Sequence, residues 1–202
     1  MVKKRILFIS WQACMGHITR DVGIAREIHK QLPEVELVWL ASPMAAQVLD
    51  EIGEKLLPES SQSADYSESI DKIVDGYGLD LVKYVRYGKR PWEENVQFFR
   101  DITNKYDFNL VIGDEIYELL LAIVEGRLHT TCPVVVIQDF IACVAMSSNP
   151  LERILVSILN RKTVRNLENS SLTHFFVGKL VDIPDQRAGF FYRIGLHWPE
   201  NM

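Results

Sequence analysis

Hydrophobic and polar positions follow two periods along this chain. Short apolar runs fall at Ile6–Ile9, Val35–Leu40, Leu110–Gly113 and Pro133–Ile137. Near-continuous runs of that length are the pattern of strands buried on both faces. Between the first two lies Ile18–Leu32, where Ile18, Val22, Ala25, Ile28 and Leu32 recur every third or fourth residue. That spacing makes one apolar stripe on a helix, and Pro33 ends it. Gly23 in its middle costs about 1 kcal/mol against alanine, which close packing of the helix on the first strand would offset. Strand, helix, strand in so short a span is a βαβ unit with parallel pairing.

The same reading continues down the chain. Met44–Ile52 reads as a short helix closed at Gly53. Pro58–Asp65, within the longer stretch Leu57–Gly78, is polar and rich in breakers, the pattern of a mobile loop. Leu79–Tyr84 fits a strand or a helix, and Glu93–Lys105 reads as helical. Tyr117–Glu125 is almost wholly apolar, so its helix should be sandwiched. Asn149 as cap, Pro150 at the first position and Glu152 in the first turn start a helix that runs to about Leu167. Ile154, Leu155, Ile158 and Leu159 should face inward there, with Arg161, Lys162 and Arg165 near its end. Thr173–Val177 and Tyr192–Gly195 are short strand candidates. The sum is an α/β fold: a doubly wound, mainly parallel sheet with helices on both faces.

Composition narrows the classes. A length of 202 residues suits one domain, and 48% hydrophobic with 24% charged residues is ordinary for a soluble globular protein. A net charge of -5 gives no electrostatic reason to expect nucleic acid as a partner. No apolar run reaches the roughly 18 residues of a transmembrane span. Lys3, Lys4 and Arg5 precede only a short apolar run with no small-residue cleavage site, which excludes a signal peptide. Cys14, Cys132 and Cys143 are odd in number and lack CxxC spacing. That argues against a disulfide framework or structural zinc and for a reducing, cytoplasmic setting. GxGxxG and GxxxxGK[ST] are both absent, so neither a dinucleotide fingerprint nor a P-loop is present. No Asp-x-Asp pair offers a metal–diphosphate site.

Candidate chemistry gathers just beyond the strand ends. Open α/β sheets bind ligands at that rim, and His17, Ser42, Asp114 and Asp139 all fall there. At a helix start the dipole should lower the His17 pKa and keep the ring neutral. A neutral imidazole can act as a general base; the alternative is a histidine that only hydrogen-bonds its loop. Gly16 beside it would let a ligand approach. Arg20 in the same first turn opposes the dipole, and a ligand phosphate or a carboxylate would relieve it. Asp114 could orient His17 or cap the helix that follows it, and Glu115 shares that choice. Asp139 is a rim candidate or a turn residue. Trp11, Tyr87 and Trp92 are candidates for a ring-stacking platform, or core. Cys14 could be a thiolate nucleophile, although no partner pattern supports one.

Cys14-Met15-Gly16-His17-Ile18-Thr19-Arg20, placed between a strand and a helix, resembles the N-terminal G-x-G-H region of two-domain nucleotide-sugar glycosyltransferases. The nearest resemblance is to the group containing the peptidoglycan-precursor N-acetylglucosaminyltransferase and the UDP-glycosyltransferases. Leu110–Glu115 resembles a later strand of the same half that ends in an acidic residue, and Pro133–Phe140 resembles the strand after it. Ala13-Cys14 stands where a further glycine is often found. The resemblance implies two Rossmann-like halves facing across a cleft, the N-terminal one holding the acceptor and the C-terminal one the nucleotide-sugar. It implies that His17 is the base for an acceptor hydroxyl, supported by Asp114. Trp11, Met15, Gly16, Arg20, Glu115, Asp139, Phe140 and Tyr87 would then line the acceptor site. It further implies no metal or resident cofactor, with a nucleotide-sugar, UDP-linked in the group, as co-substrate. Residues 1–195 would be the acceptor domain and 196–202 the start of a linker. The partners expected are a sugar acceptor and a missing C-terminal domain or partner subunit, with peripheral membrane contact left open and no activity from this half alone. Two alternatives remain: half of a nucleotide-sugar 2-epimerase, or a non-catalytic subunit docking a partner glycosyltransferase chain.

Overall fold

The computed structural model describes residues 4–11, 15–62, 74–75, 78–79, 81–139, 145, 150–169 and 172–177. β1 (Arg5–Ser10) leads through α1 (Met15–Gln31) to β2 (Glu36–Ala41) and α2 (Pro43–Glu51). A 3-10 turn at Pro58–Gln62 follows, then two very short strands, β3 (Val74–Asp75) and β4 (Gly78–Leu79), which pair antiparallel. The long α3 (Leu81–Lys105), β5 (Leu110–Asp114), α4 (Tyr117–Val124), β6 (Val134–Gln138), α5 (Pro150–Asn169) and β7 (Thr173–Phe176) complete the order. The main sheet has five strands in the order β2-β1-β5-β6-β7, with every pairing parallel.

The apolar runs are continuous because the sheet is covered on both sides. Ile6, Phe8, Leu37, Trp39, Ile112 and Ile137 face α1 and α2, meeting Ile18, Val22, Ala25, Ala45 and Leu49. Leu7, Ile9, Val38, Leu40, Val111, Val134 and Val136 face the other way, onto Val96, Phe99 and Ile102 of α3 and Leu119, Leu120 and Ala122 of α4. Each fully buried aliphatic or aromatic side chain contributes about 1.5–3 kcal/mol. α5 lies outside α3 and α4, so the apolar α4 is sandwiched as expected. No described helix is long and apolar enough to cross a membrane.

Winding reverses between β1 and β5. The chain steps from β1 to β2 on one side and returns to β5 on the other. Such a switch point opens a crevice at the carboxyl ends of the strands. Ser10 and Asp114, the last residues of β1 and β5, are register partners there.

Several expectations change in the structure. The part of the polar loop at Pro58–Gln62 is ordered and packed. Ser60 Oγ donates to the Trp39 carbonyl and accepts from Ala41 N, both at 3.3 Å. The Glu59 carboxylate takes Lys105 Nζ and the Tyr106 hydroxyl. Polar partners rather than apolar burial fix this turn, so hydrophobic patterning did not reveal it. α3 starts at Leu81 and runs through Pro91, whose missing N–H removes one helical hydrogen bond. Among the described side chains of α5, only part of the expected inward set faces in: Leu155 and Leu159 are half-buried, and Ile154 and Ile158, like Leu151, are more than half exposed, while Glu152, Val156 and Asn160 are buried. The helix is turned because this stripe, not the apolar one, lies on the side packed against α3 and α4, and neither Glu152 nor Asn160 is left without a partner. Gly23 is exposed, and a methyl there would meet nothing within 4 Å, so no close approach to β1 depends on it. Leu32 is also exposed, because α1 ends before it. Asn149 and Tyr192–Gly195 lie outside the described residues.

Candidate active site at the carboxyl rim

Three elements meet at the switch point. α1 carries His17, Arg20 and Asp21, which one helical turn stacks above the end of β1. β5 ends in Asp114 and β6 leads to Asp139. Between them Glu115 adopts φ 49°, a left-handed backbone unusual for a side chain of this size. Its N–H donates to the Ile137 carbonyl at 2.9 Å, which holds the bend against β6. Gly113 makes the bend possible in another way: a Cβ there would stand 2.3 Å from Ile116 Cδ1.

Asp114 is fully buried and is the centre of the cluster. Its Oδ2 lies 2.7 Å from His17 Nδ1, and its Oδ1 accepts from Arg20 Nη2 at 2.5 Å. Arg20 Nη1 reaches Asp139 Oδ1. Arg20 Nη2 also comes within 3.0 Å of His17 Nδ1. A carboxylate at 2.7 Å assigns the proton to Nδ1, so both nitrogens are donors converging on one acceptor. His17 Nε2 then carries the free lone pair of the neutral ring. It lies 3.7 Å from Glu115 Oε2, while the Tyr117 hydroxyl donates to Glu115 Oε1 at 3.1 Å.

The electrostatics correct one expectation. The His17 pKa is raised, not lowered: the hydrogen bond to Asp114 outweighs burial, and the charges of Asp114 and Glu115 add to it against Arg20. A helix start cannot compete with a buried carboxylate at hydrogen-bond distance. Arg20 needs no ligand anion, because Asp114 and Asp139 already answer its charge and hold its pKa up against burial. Burial raises the Glu115 carboxyl, with His17 opposing. Asp21 is pushed up to about 7, by burial first and by the Asp114 charge second.

The remaining candidates divide. Met15 and Gly16 are exposed at the open end of α1. Trp11 is only 2% exposed and stacked on Phe98, with ring centroids 6.5 Å apart, so it belongs to the core and offers no face to a ligand. Ser42 is buried and caps α2, its Oγ accepting from Ala45 N at 3.4 Å. Asp114 does not cap α4, whose N-cap is Ile116. Tyr87 falls within α3, its side chain outside the described set, and Phe140 and Cys14 lie outside the described residues. Among the described residues no group of His, Cys, Asp and Glu is arranged to hold a metal ion.

Sequence reading missed Ser10, Asp21 and Gln138. Asp21 left a signal: it sits on the buried stripe of α1 between Ile18, Val22 and Ala25, where a charge is out of place. Gln138 donates to His174 Nδ1 at 2.8 Å across β6 and β7 and is buried beside Asp139. Nothing in its local sequence marked it.

No protein-family model matches the chain, and no curated protein sequence matches it. Solved structures do. The glycosyltransferase SnogD from Streptomyces nogalater aligns with 93% of this chain and 50% of its own, at 15% identity and a TM-score of 0.53. The glycotransferase of kitacinnamycin aligns with 85% of this chain and 37% of its own (14% identity, TM-score 0.47). MurG of Acinetobacter baumannii aligns with 70% and 36% (16% identity, TM-score 0.38). The chain thus spans half the length of SnogD and just over a third of the other two. The likeness to SnogD shows the fold: a Rossmann-like α/β arrangement with a parallel sheet, similar to part of that glycosyltransferase.

Proposed function

We propose that the chain is the acceptor-binding half of a glycosyltransferase that moves a sugar from a nucleotide-sugar onto an acceptor hydroxyl. The observation that carries this is the 2.7 Å contact between His17 Nδ1 and the buried Asp114 carboxylate, at the switch point of the sheet. It leaves Nε2 as the proton acceptor, the arrangement of a general base held by a carboxylate. The acceptor O–H gives its proton to His17 Nε2. Its oxygen forms the new bond to the anomeric carbon as the bond from that carbon to the diphosphate breaks, and the diphosphate keeps the electron pair. Asp114 holds the ring in the required tautomer and stabilises the imidazolium that forms. Glu115, beside Nε2, and Asp139, through Arg20, frame the acceptor, with Met15 and Gly16 at the entrance.

The span of half of SnogD supports a donor-binding half on sequence or a partner chain beyond these residues. Residues 1–195 would be the acceptor domain and 196–202 the linker. On this reading the nucleotide-sugar, UDP-linked by the resemblance of the His17 region, binds that other half. The transfer uses no metal, and this half alone is inactive in a cytoplasmic setting. The test joins the chain to its donor-binding half and measures sugar transfer for His17→Ala. Loss of a general base removes about 100-fold or more. Unchanged turnover would take His17 out of the chemistry.

A further inference from the structure

The mechanism above leaves one fully buried acid of α1 unused. Asp21 is fully buried in α1. Ser10 Oγ donates to its Oδ2 at 2.6 Å, and its Oδ1 finds no partner among the described residues. Ser10 ends β1 in register with Asp114, so the Ser10–Asp21 hydrogen bond and the His17–Asp114 contact share neighbouring strand ends. The charged groups acting on Asp21 are His17 and Arg20 from its own helix and Asp114 from β5. The residues of α2 buried on this side, Ala45 and Leu49, do not titrate.

We propose that Asp21 is a positioning residue for the His17–Asp114 pair, sharing with His17 the control of how many protons the rim holds. An ionised carboxylate with one orphaned oxygen is unfavourable in a buried site, so Asp21 takes up a proton near neutrality. His17 and Asp21 then bind protons in competition. A proton on Asp21 removes the negative charge near the imidazole and weakens its hold on a second proton, which favours the neutral, basic ring. Two sites that interact this way titrate as a pair rather than singly. Burial and the Asp114 charge hold Asp21 up to about 7, and the hydrogen bond to Asp114 raises His17 as well.

This deepens the site described above, but its test needs no transferase activity and therefore fails or succeeds separately. The experiment follows the His17 ring nitrogens by NMR from pH 5 to 9 in the full chain. In the wild type the ring signals should titrate over a range wider than one independent site. In Asp21→Asn the carboxamide is neutral throughout, and His17 should titrate as a single site with its midpoint lowered by roughly half a unit. Ser10→Ala removes the hydrogen bond that favours the charged form of Asp21, so it should shift His17 the same way by less. An Asp21→Asn protein that folds and leaves the His17 midpoint and breadth unchanged would overturn the proposal. So would loss of folding in both variants, since the pair would then be structural.

Discussion

Two clusters of charge sit at opposite ends of one sheet. At the amino end, Arg5 and Glu36 begin β1 and β2 as register partners, with Arg5 Nε 3.1 Å from Glu36 Oε2, and Lys55 joins from the turn after α2. At the carboxyl end, Asp114 gathers His17 and Arg20, and Arg20 adds Asp139. Ion pairs are present at both ends, so counting them would not tell the ends apart. Burial does. Lys55 is 61% exposed and Glu36 24%, whereas Asp114 is fully buried and His17 is 15% exposed. Water screens the Lys55 pair and makes it worth little. The second set is built on the fully buried Asp114, and around it the protonation of Asp21, His17 and Glu115 is shifted upward. Displaced protonation in a crevice is what singles out a candidate functional site.

The comparison can be broken by substitution at each end. Asp114→Ala leaves Arg20 with Asp139 alone and His17 Nδ1 with no carboxylate. A broken buried pair predicts a loss of about 3–4 kcal/mol by urea denaturation, while Lys55→Ala should stay within about 0.5 kcal/mol. Equal effects would remove the distinction. Stability against pH gives the next largest effect. Asp21 titrates near 7 when folded, above its ordinary value near 4 when unfolded. Its contribution is therefore full below about pH 4 and is lost as pH rises to about 7, because only the unfolded form ionises in that window. Asp21→Asn has no such slope, so its stability relative to wild type should climb by about 3–4 kcal/mol between pH 4 and pH 8. A constant difference would contradict the buried, protonated Asp21.

Smaller effects sharpen the geometry. Gly113→Ala would press a methyl against Ile116, and relief by shifting that side chain predicts a loss of about 1–3 kcal/mol in denaturation. Because the Glu115 bend follows directly, the same variant should also disturb the His17 NMR signals. Trp11→Phe keeps an apolar ring against Phe98 and removes an indole N–H that has no acceptor among the described residues. It should change stability by less than about 1.5 kcal/mol and leave sugar transfer in the joined protein unchanged. A large transfer defect there would restore Trp11 to the ligand site.

What sequence made legible followed from periodicity. The apolar runs of β1, β2, β5 and β6 and the stripe of α1 could be read because burial on both faces leaves an unmistakable pattern. Their carboxyl ends then placed His17, Asp114 and Asp139 on one rim, although distant in sequence. The His17–Asp114 contact was among the alternatives the sequence offered and is met in the structure, but the rest of the pairing within that rim was not legible. Whether Arg20 would meet a ligand or a carboxylate depends on the neighbour supplied by β6, and the direction of the His17 shift depends on a contact between α1 and β5. α5 misled for a related reason: its outward apolar residues, Ile154 and Ile158, carry the stronger pattern, while the buried Glu152 and Asn160 need partners that no local window contains. Pro58–Gln62 shows the same limit, being fixed by the backbone of β2 and the end of α3.

The most direct test is the pH dependence of sugar transfer in the chain joined to its donor-binding half, for wild type and Asp114→Asn. Asparagine keeps the shape and removes the charge that raises His17. Activity of the wild type should rise with pH through a midpoint above 6.5, and that midpoint should fall in the variant together with the rate. An acid limb that stays in place when Asp114 loses its charge would show that the imidazole it holds is not the base.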